Sequence, residues 1–416
     1  MTLPRITEWR KLPTFRWRQH AENEWSCALH GRILCLRQDP THIHYRAIFP
    51  CPQSVPLTPP PSGTPSTASV AAESLDEDDD TASLLRHYFN LTPNLTELYE
   101  QWSAADQNFK KKAPKFTGIR ILKQDAWEAL VGFICSSNNN IVRISQMVDK
   151  LCLNYGTLVG YIDSKPYHDF PAPSALTDPQ VEQHLRQLGF GYRAKYLHQT
   201  AVMVSKEREA GWLDGLRNPE SPILGAEVKS AGEMKEGGRE GYREAHEQLL
   251  ELQGVGPKVA DCVCLMGLGW GEAVPVDTHG ELNFSFPKPV FDNVAVWQIA
   301  QRDYKFGKGK HKSLTKATYD AVGDHFRKLW GKEAGWAHSV LFTADLKAFS
   351  ARLTTKVEVK EDTSVVVAGD EKIKIEKTVT TKVINRKSKR EGDEEEETLE
   401  SQTSASGRRL RKRPKA

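Results

Sequence analysis

The sequence predicts an α+β protein in which a small antiparallel β-sheet domain packs on a mostly helical domain. Three observations lead to this prediction. Apolar and polar residues alternate between residues 25 and 49, helical periodicity dominates from residue 83 onward, and a glycine-rich hairpin joins two apolar helices at residues 243–267. Residues 52–82 and 353–416 are too polar to form a core, and we predict that both segments are disordered.

The sheet is predicted in the first domain, residues 1–115. Trp25, Cys27 and Leu29 recur at every second position, as expected for strands with one buried face. His30–Gly31 and Asp39–Pro40 supply turns between such strands. The insertion at residues 52–82 interrupts this domain with proline, serine and threonine, followed by an acidic run.

The composition limits the function classes. The chain has 416 residues and a net charge of only +3, so a nucleic-acid partner would have to bind local basic patches. Seven cysteines without paired spacing indicate reduced thiols in an intracellular compartment. No apolar run reaches membrane-spanning length, so we expect no membrane partner.

The second domain, residues 116–352, is predicted to be helical around a helix-hairpin-helix at 243–267. Gly254–Val255–Gly256 allows a tight turn, and the helix after it presents unpaired N–H groups that suit a phosphate. The positive end of that helix disfavours the ammonium form of Lys258, which would make its amine a nucleophile. An ordinary salt contact with a phosphate is the alternative, and the hairpin alone leaves both open.

Asp277 follows Lys258 in the string Val274–Pro275–Val276–Asp277–Thr278–His279. Because Pro275 breaks the preceding helix, Asp277 is predicted to begin the next one as its cap. Capping is one role for this carboxylate. The other is to help keep a nearby amine deprotonated and to stabilise positive charge that develops beside it.

Several strings occur in one order that resembles the eukaryotic 8-oxoguanine DNA glycosylase/lyases of the helix-hairpin-helix superfamily. The likeness covers most of residues 15–50 and 84–350. The matching strings are Gly254–Cys262, Val274–His279, Phe133–Ile141, Gly191–Ala194, Ile299–Tyr304 and Gly335–Asp345.

The resemblance implies a base-excision repair enzyme that acts on double-stranded DNA containing oxidised guanine. It would extrude 8-oxoguanine opposite cytosine, since the bond to be cut is unreachable inside a stacked duplex. Lys258 matches the nucleophile that displaces the base, forms a Schiff base and permits β-elimination, and Asp277 matches the catalytic carboxylate. The resemblance implies a monomer that needs no metal and no organic cofactor for the chemistry. A structural cation at the hairpin stays open.

The resemblance also assigns binding roles. Cys262, Phe342 and His338 would form the base pocket, although the sequence alone favours an ordinary core role for Cys262 and Phe342. The group that would recognise the orphaned cytosine or fill its gap consists of Asn138, Arg143, Arg193 and the wedge Tyr192. Asn138 could instead be only a helix cap. The expected phosphate contacts are Gly254, Gly256, Val259 and His279.

This chain departs from the family in three places. His338 stands where the family has a glutamine that reads the lesion. The N-terminus is short and lacks the glycine whose carbonyl accepts from N7–H of 8-oxoguanine. Residues 280–295 interrupt the helix that Asp277 should begin. Two alternatives therefore stay open: a variant that binds DNA but is catalytically impaired, and a glycosylase with a shifted lesion preference.

The interruption at residues 280–295 suggests a translated intron. Gly280–Glu281 can be encoded with a GTGAG donor, and Ala295–Val296 can be encoded with a CAG acceptor. Removal of the sixteen residues joins His279 to Val296 in frame and restores the family pattern. A genuine insertion is the alternative.

The charged tail, residues 353–416, contains basic clusters at Arg386–Arg390 and Arg408–Arg413. Such clusters predict import into the nucleus, with solvated tail charges as the alternative. The Arg- and Lys-rich first twenty residues leave a mitochondrial address open, but they fit better as the start of the fold.

Overall fold

The computed structural model of the protein describes residues 15–21, 23–39, 42–50, 79–277, 296–307 and 314–345, together with the backbone of two later strands. The chain divides into a unit that ends at Leu353 and a unit that starts at Thr354. No helix among the described residues is long and apolar enough to cross a membrane.

The predicted antiparallel sheet is present and has four strands in the order β1-β2-β3-β4. They are β1 Arg18–Ala21, β2 Glu24–Leu29, β3 Arg32–Gln38 and β4 Ile43–Ile48. In β2 every residue from Trp25 to Leu29 is buried, so both faces of this strand are covered. The alternation in the sequence led us to expect only one buried face.

Two different elements cover those faces. On one side Leu34 and Leu36 pack with Leu84 and Leu85 of helix α1, Thr81–Tyr88. On the other, a hairpin that the sequence analysis missed supplies Val159 and Tyr167. Its strands are β5 Leu158–Ile162 and β6 Lys165–His168. Each face of the sheet therefore has its own small hydrophobic core, one formed with α1 and the other with the β5–β6 hairpin.

Helices dominate the rest of the first unit where the structure describes it, in agreement with the predicted α+β class. After α1 they are α2 Leu95–Ala105, α3 Gln107–Lys112, α4 Ala126–Ser136, α5 Ile141–Tyr155, α6 Val181–Gln187, α7 Arg193–Val202, α8 Trp212–Gly215, α9 Glu240–Leu250, α10 Pro257–Met266, α11 Val296–Tyr304, α12 Lys316–Trp330 and α13 Ala334–Asp345. The predicted hairpin lies between α9 and α10.

The helical core includes residues from both sides of residue 115. Trp102 of α2 and Phe109 of α3 are buried, and their rings lie 5.6 Å apart. Trp102 also lies 6.0 Å from the ring of Trp336 in α13, and Phe109 lies 5.8 Å from the ring of Trp330 in α12. The helices of residues 95–112 therefore pack into the same core as the helices that carry the hairpin.

A buried ion pair links the start of the described chain to the helical part. Nη1 of Arg16 lies 2.8 Å from a carboxylate oxygen of Glu128 in α4, and Nη2 donates to the carbonyl of His168 in β6. Burial raises the pKa of the Glu128 carboxyl, and the positive charge of Arg16 opposes that rise. Removal of either partner would leave a buried charge unpaired.

The structure describes parts of both segments that were predicted to be disordered. Helix α1 begins at Thr81, inside the predicted insertion 52–82, while residues 51–78 lie outside the described residues. In the tail, the structure has two antiparallel strands, β7 Lys356–Thr363 and β8 Lys377–Ile384, where the sequence analysis expected disorder. The sequence of β8 is rich in valine and threonine, and β7 carries Val357, Val359 and Thr363 among charged residues. Valine and threonine favour extended backbone, and this local preference was hidden by the high overall charge.

Candidate functional site

The hairpin between α9 and α10 has the tight geometry that its two glycines predicted. Gly254 has a φ of +77°, and a Cβ there would lie 2.6 Å from the ring of Tyr196, so only glycine fits. Gly256 is the N-cap of α10, with an extended φ of −104°, and Pro257 occupies the first helical position. No described side chain caps this end of the helix. The first-turn N–H groups therefore remain suited to an outside anion.

Lys258 and Asp277 lie close together, as the family resemblance implied. Nζ of Lys258 lies 3.9 Å from Oδ2 of Asp277. Each side chain is about one-third exposed, at 32% and 31%. Nζ also lies 5.7 Å from the centre of the Phe133 ring, which forms one wall beside the amine. The pair is thus close enough to exchange or stabilise charge, and open enough for a substrate to reach.

Cys262 lies one helical turn after Lys258 and is buried. Burial raises the pKa of its thiol to about 11, and the charge of Lys258 and a hydrogen bond from it oppose the rise. The thiol is therefore neutral at physiological pH and presents an apolar, polarisable surface beside the amine. Val259, a predicted phosphate contact, has a buried side chain in the same turn, so only its backbone is placed to meet a phosphate.

Two backbone hydrogen bonds fix the position of the segment that carries Asp277. The N–H of Val276 donates to the hydroxyl of Tyr319 in α12 at 3.4 Å. The N–H of Trp297 in α11 donates to the carbonyl of Asp277 at 3.3 Å. His279 and the interruption at residues 280–295 lie outside the described residues.

Helix α13 carries the other two residues predicted for the base pocket. Phe342 is partly buried against the helical core. His338 is only 2% exposed, and its ring lies 5.1 Å from the ring of Phe326. Burial lowers the pKa of His338 to about 4, and its Nε2 has no hydrogen-bond partner in the described part of the chain. The structure therefore places a neutral imidazole in the core, whereas the resemblance placed it against a ligand.

The residues predicted to meet the orphaned cytosine form a second cluster at the junction of α4 and α5. Asn138 is exposed and has a left-handed backbone, with a φ of +49°. Arg193 is 3% exposed and donates to the carbonyls of Ser137 and Asn138, the latter at 3.0 Å. The hydroxyl of Tyr192 donates to the carbonyl of Ser137 at 3.1 Å. Tyr192 and Arg193 thus hold the loop on which Asn138 is presented.

Exposure separates the members of this cluster. Tyr192 is 46% exposed and its ring lies 4.5 Å from the buried guanidinium carbon of Arg193. Arg143 is exposed and donates to the carbonyl of Gly189 at 3.3 Å. The sequence left open that Asn138 is only a helix cap. Asn138 does not cap α5, because the N-cap of that helix is Asn140, whose side chain accepts from the N–H of Arg143 at 2.9 Å. Its left-handed backbone directly after Ser137, the C-cap of α4, is a conformation in which helices commonly end, so the capping alternative stays open for α4.

Sequence reasoning missed a buried carboxylate beside the pair. Asp261 of α10 is 1% exposed and accepts hydrogen bonds from Tyr242 of α9 at 2.6 Å and from Tyr319 of α12 at 2.5 Å. The sequence does contain an indication of this buried carboxylate, since Asp261 is an acidic residue within the apolar run Val259–Cys264. A charge on the buried face of a helix needs partners, which the sequence could not name.

A charge cluster at the end of α13 was also missed. Lys112 of α3 lies 2.8 Å from Asp303 of α11, and Arg302 of α11 lies 2.5 Å from Asp345 of α13. These contacts join three helices and hold α11 in place after the interruption. Of the lysine-rich stretch 305–316, the structure describes only the two ends, with residues 308–313 outside the described part.

Two family models match successive parts of the chain. Residues 13–130 match the model described as the N-terminal domain of 8-oxoguanine DNA glycosylase, and residues 131–323 match that of the HhH-GPD superfamily base excision DNA repair proteins. The chain is 37% identical over 330 residues to an N-glycosylase/DNA lyase of Saccharomyces cerevisiae, covering 74% of this chain and 79% of that protein. It is 32% identical over 337 residues to an N-glycosylase/DNA lyase of Arabidopsis thaliana, covering 80% and 75%.

Solved structures share the fold. The 8-oxoguanine glycosylase/lyase of Clostridium acetobutylicum in its apo form superposes with a TM-score of 0.55 at 22% identity, covering 79% of this chain and 88% of that one. The complex of the Clostridium acetobutylicum enzyme with double-stranded DNA containing cytosine opposite 8-oxoguanine gives 0.55 at 21% identity, covering 79% and 87%. The predicted α+β architecture is confirmed by this likeness.

Proposed function

The chain belongs to the eukaryotic 8-oxoguanine DNA glycosylase/lyase family, and we propose that it removes 8-oxoguanine opposite cytosine from duplex DNA and then cleaves the strand by β-elimination. One observation carries this proposal beyond membership of the family. The amine of Lys258 lies 3.9 Å from the carboxylate of Asp277, with both groups partly open to solvent, at the start of the helix that follows the hairpin. An amine and a carboxylate thus lie together near a helix N-terminus suited to a phosphate, and this supports their proposed roles as nucleophile and catalytic carboxylate.

The chemistry follows from this pair. The base must first leave the stack, because its glycosidic bond is inaccessible inside a duplex. The neutral amine of Lys258 then attacks C1′ while the glycosidic bond breaks and the base leaves with the bonding electrons and takes up a proton. Asp277 stabilises the positive charge that develops on the sugar and accepts the proton that the attacking amine loses.

The lyase step uses the same covalent intermediate. Opening of the sugar ring converts the C1′ adduct of Lys258 into a Schiff base, which acidifies the proton on C2′. Loss of that proton expels the 3′ phosphate by β-elimination and breaks the strand. Hydrolysis of the Schiff base then returns the free amine of Lys258 and leaves an unsaturated aldehyde on the 3′ end of the upstream strand.

The second cluster fits contact with the opposite strand. Tyr192 offers an exposed aromatic face that can fill the gap left by the extruded base by stacking. Asn138 and Arg143 are exposed and carry donors and an acceptor suited to the edge of the orphaned cytosine. Arg193 acts through the loop, since its guanidinium is buried against the carbonyls of Ser137 and Asn138.

The buried state of His338 favours a second candidate function, a glycosylase with a shifted lesion preference. A neutral imidazole that is 2% exposed and packed against Phe326 is not positioned to read the Watson–Crick edge of a base. A panel of duplexes that each carry one lesion tests this candidate. Preferential excision of 8-oxoguanine supports the first function, whereas preferential excision of an oxidised pyrimidine replaces it.

Borohydride trapping on an 8-oxoguanine:cytosine duplex tests the principal proposal. Reduction of the Schiff base should join enzyme and DNA covalently, and the Lys258→Gln variant should bind the duplex without forming the adduct. Binding of the unmodified protein without any adduct would contradict the proposal and support the DNA-binding, catalytically impaired alternative.

We further propose that the protein acts as a monomer in the nucleus, carried there by the basic clusters Arg386–Arg390 and Arg408–Arg413. A fluorescent fusion in which both clusters are changed to alanine should redistribute to the cytoplasm. Accumulation of the unchanged fusion in mitochondria would instead support an address at the N-terminus.

A further inference from the structure

We propose that Asp261 and Tyr319 are positioning residues that hold the carboxylate of Asp277 within reach of Lys258. This inference rests on the proposed function, because it concerns the geometry of the same amine and carboxylate. Neither residue touches the reacting atoms. They act through the backbone on which Asp277 is carried.

Asp261 is the fixed point of this arrangement. It lies on α10, one turn after Lys258, and is 1% exposed. Its Oδ1 accepts from the hydroxyl of Tyr242 at 2.6 Å and its Oδ2 from the hydroxyl of Tyr319 at 2.5 Å. A buried carboxylate with both oxygens occupied has little freedom to move, since every alternative position leaves a polar atom unpartnered.

Tyr319 connects Asp261 to the segment that carries Asp277. Its hydroxyl donates to Asp261 and accepts from the N–H of Val276 at 3.4 Å. Burial and the neighbouring charge of Asp261 raise the pKa of Tyr319 well above its usual value, so the phenol keeps its proton. With its single hydrogen committed to the carboxylate, the hydroxyl oxygen is left to accept from the backbone.

Two hydrogen bonds therefore connect the helix of Lys258 to the residue that precedes Asp277. The catalytic pair itself is separated by 3.9 Å and is partly exposed, so its mutual attraction is weak. Contacts other than that attraction therefore have to determine the distance between Nζ of Lys258 and Oδ2 of Asp277. The path through Asp261 and Tyr319 is buried at one end and joins the two segments directly.

Tyr242 provides a matched control. Its hydroxyl donates to the other oxygen of Asp261 at 2.6 Å, but it lies on α9, and among the described residues this hydroxyl bonds to Asp261 alone. Tyr319→Phe and Tyr242→Phe each delete one hydroxyl from the same carboxylate. Only Tyr319→Phe also releases the N–H of Val276. A difference between the two variants thus reports on the link to Asp277 rather than on the stability of Asp261.

The first readout is single-turnover excision on an 8-oxoguanine:cytosine duplex, together with the dissociation constant for the same DNA. We expect Tyr319→Phe to slow excision on the order of tenfold or more with the dissociation constant unchanged, because small misplacements of a catalytic group cost large factors in rate. The excision rate of Tyr242→Phe should fall much less. Equal losses in the two variants, or no loss in Tyr319→Phe, overturn the proposal.

A second readout does not depend on turnover. Reductive ¹³C-methylation labels the lysines, and the signal of Lys258 is identified by its absence in Lys258→Gln. Its chemical shift should change in Tyr319→Phe, because the nearby carboxylate moves, and should stay in place in Tyr242→Phe. If the unmodified protein excises no base, the proposed function fails while this spectrum still decides the positioning role. An unchanged Lys258 signal in Tyr319→Phe would refute it.

Discussion

The N–H of Trp297 donates to the carbonyl of Asp277 at 3.3 Å, although residues 278–296 separate the two along the chain. If residues 280–295 are left out of the count, Trp297 becomes the fourth residue after Asp277, which is the spacing of an α-helical hydrogen bond. Asp277 and Trp297 thus already have the hydrogen bond and, without the interruption, the spacing of one helix that starts at Asp277. This relationship supports the hypothesis that residues 280–295 are an insertion into that helix.

Deletion of residues 280–295 should produce a helix that runs without a break from Asp277 into α11. We expect a higher melting temperature and faster excision, because the first turn would gain the intrahelical bonds that the interruption removes. Differential scanning calorimetry and single-turnover excision measure the two effects.

The control for this deletion removes only residues 281–295. It leaves one additional residue, which would rotate everything after it by about 100° around the helix axis. This variant should be less stable and less active than the sixteen-residue deletion. Equal behaviour of the two deletions would show that the register has no importance. A spliced transcript that still encodes Phe284 would rule out an intron, but the register argument would stand.

Asp277→Asn should slow excision on the order of a hundredfold or more with little change in DNA binding. The amide keeps the shape of the side chain but removes the charge that stands 3.9 Å from the Lys258 amine. Single-turnover rates and binding titrations separate the two effects. Asp149→Asn, which removes an exposed carboxylate paired with Arg18, is the control and should leave the rate unchanged. Full activity of Asp277→Asn would remove this carboxylate from the mechanism.

The two hairpin glycines should respond differently to alanine. Gly254→Ala forces a left-handed backbone on alanine, at about 1–2 kcal/mol, and drives its Cβ into Tyr196. It should lower the melting temperature and weaken DNA binding. Gly256→Ala meets no atom within 4 Å and has an extended backbone, so the fold should tolerate it. A loss of DNA affinity in Gly256→Ala without a loss of stability would then report a phosphate approaching this glycine. Unchanged affinity would argue against that contact.

Substitutions of Asn138 can separate its backbone role from its side-chain role. Asn138→Gly keeps the left-handed conformation at φ +49° and removes the amide, whereas Asn138→Ala removes the amide and adds about 1–2 kcal/mol of strain. If the amide reads the orphaned cytosine, both variants should lose the preference for cytosine over other opposite bases. Only Asn138→Ala should also be less stable. Retention of the preference in Asn138→Gly would exclude the amide as the reader.

The buried His338 predicts a dependence of stability on pH. Its pKa is lowered from 6.5 to about 4 in the folded protein, so the unfolded chain binds the extra proton first as the pH falls. Its contribution is therefore fully present above pH 6.5 and is lost as the pH falls from 6.5 towards 4. The shift corresponds to about 3 kcal/mol. His338→Gln should flatten the stability curve across this window, as measured by denaturant unfolding at a series of pH values.

His87 provides the comparison for this measurement. Burial is the first cause that lowers its pKa to about 4 as well, so His338→Gln should keep a residual contribution that becomes smaller in the double variant with His87→Gln. An unchanged slope in His338→Gln would mean that the imidazole is solvated in solution. The same variant also introduces the glutamine that the resemblance implies at this position, so its lesion preference can be compared with that of the unmodified protein.

The hairpin shows how far local sequence could lead. The hairpin needs the backbone freedom of Gly254, the helix end at Gly256 and the amine of Lys258. All three features are determined by a few neighbouring residues. The α+β class could also be predicted, since alternation and helical periodicity are local signals. Asp277 could be paired with Lys258 only through the family resemblance, because the residues between them give no measure of distance.

The rest depended on which elements pack together. Burial of His338 is decided by Phe326 of α12, and the guanidinium of Arg193 is committed to carbonyls more than fifty positions away. The partners of Asp261 come from two further helices. The sequence by itself determined the helix-hairpin-helix and the position of its lysine, and through them the type of chemistry that we propose for this protein. Only the tertiary structure decided where the carboxylate of Asp277 lies and which polar groups hydrogen-bond to the segment that carries it. The physical reason is that those contacts join segments that no local sequence pattern connects.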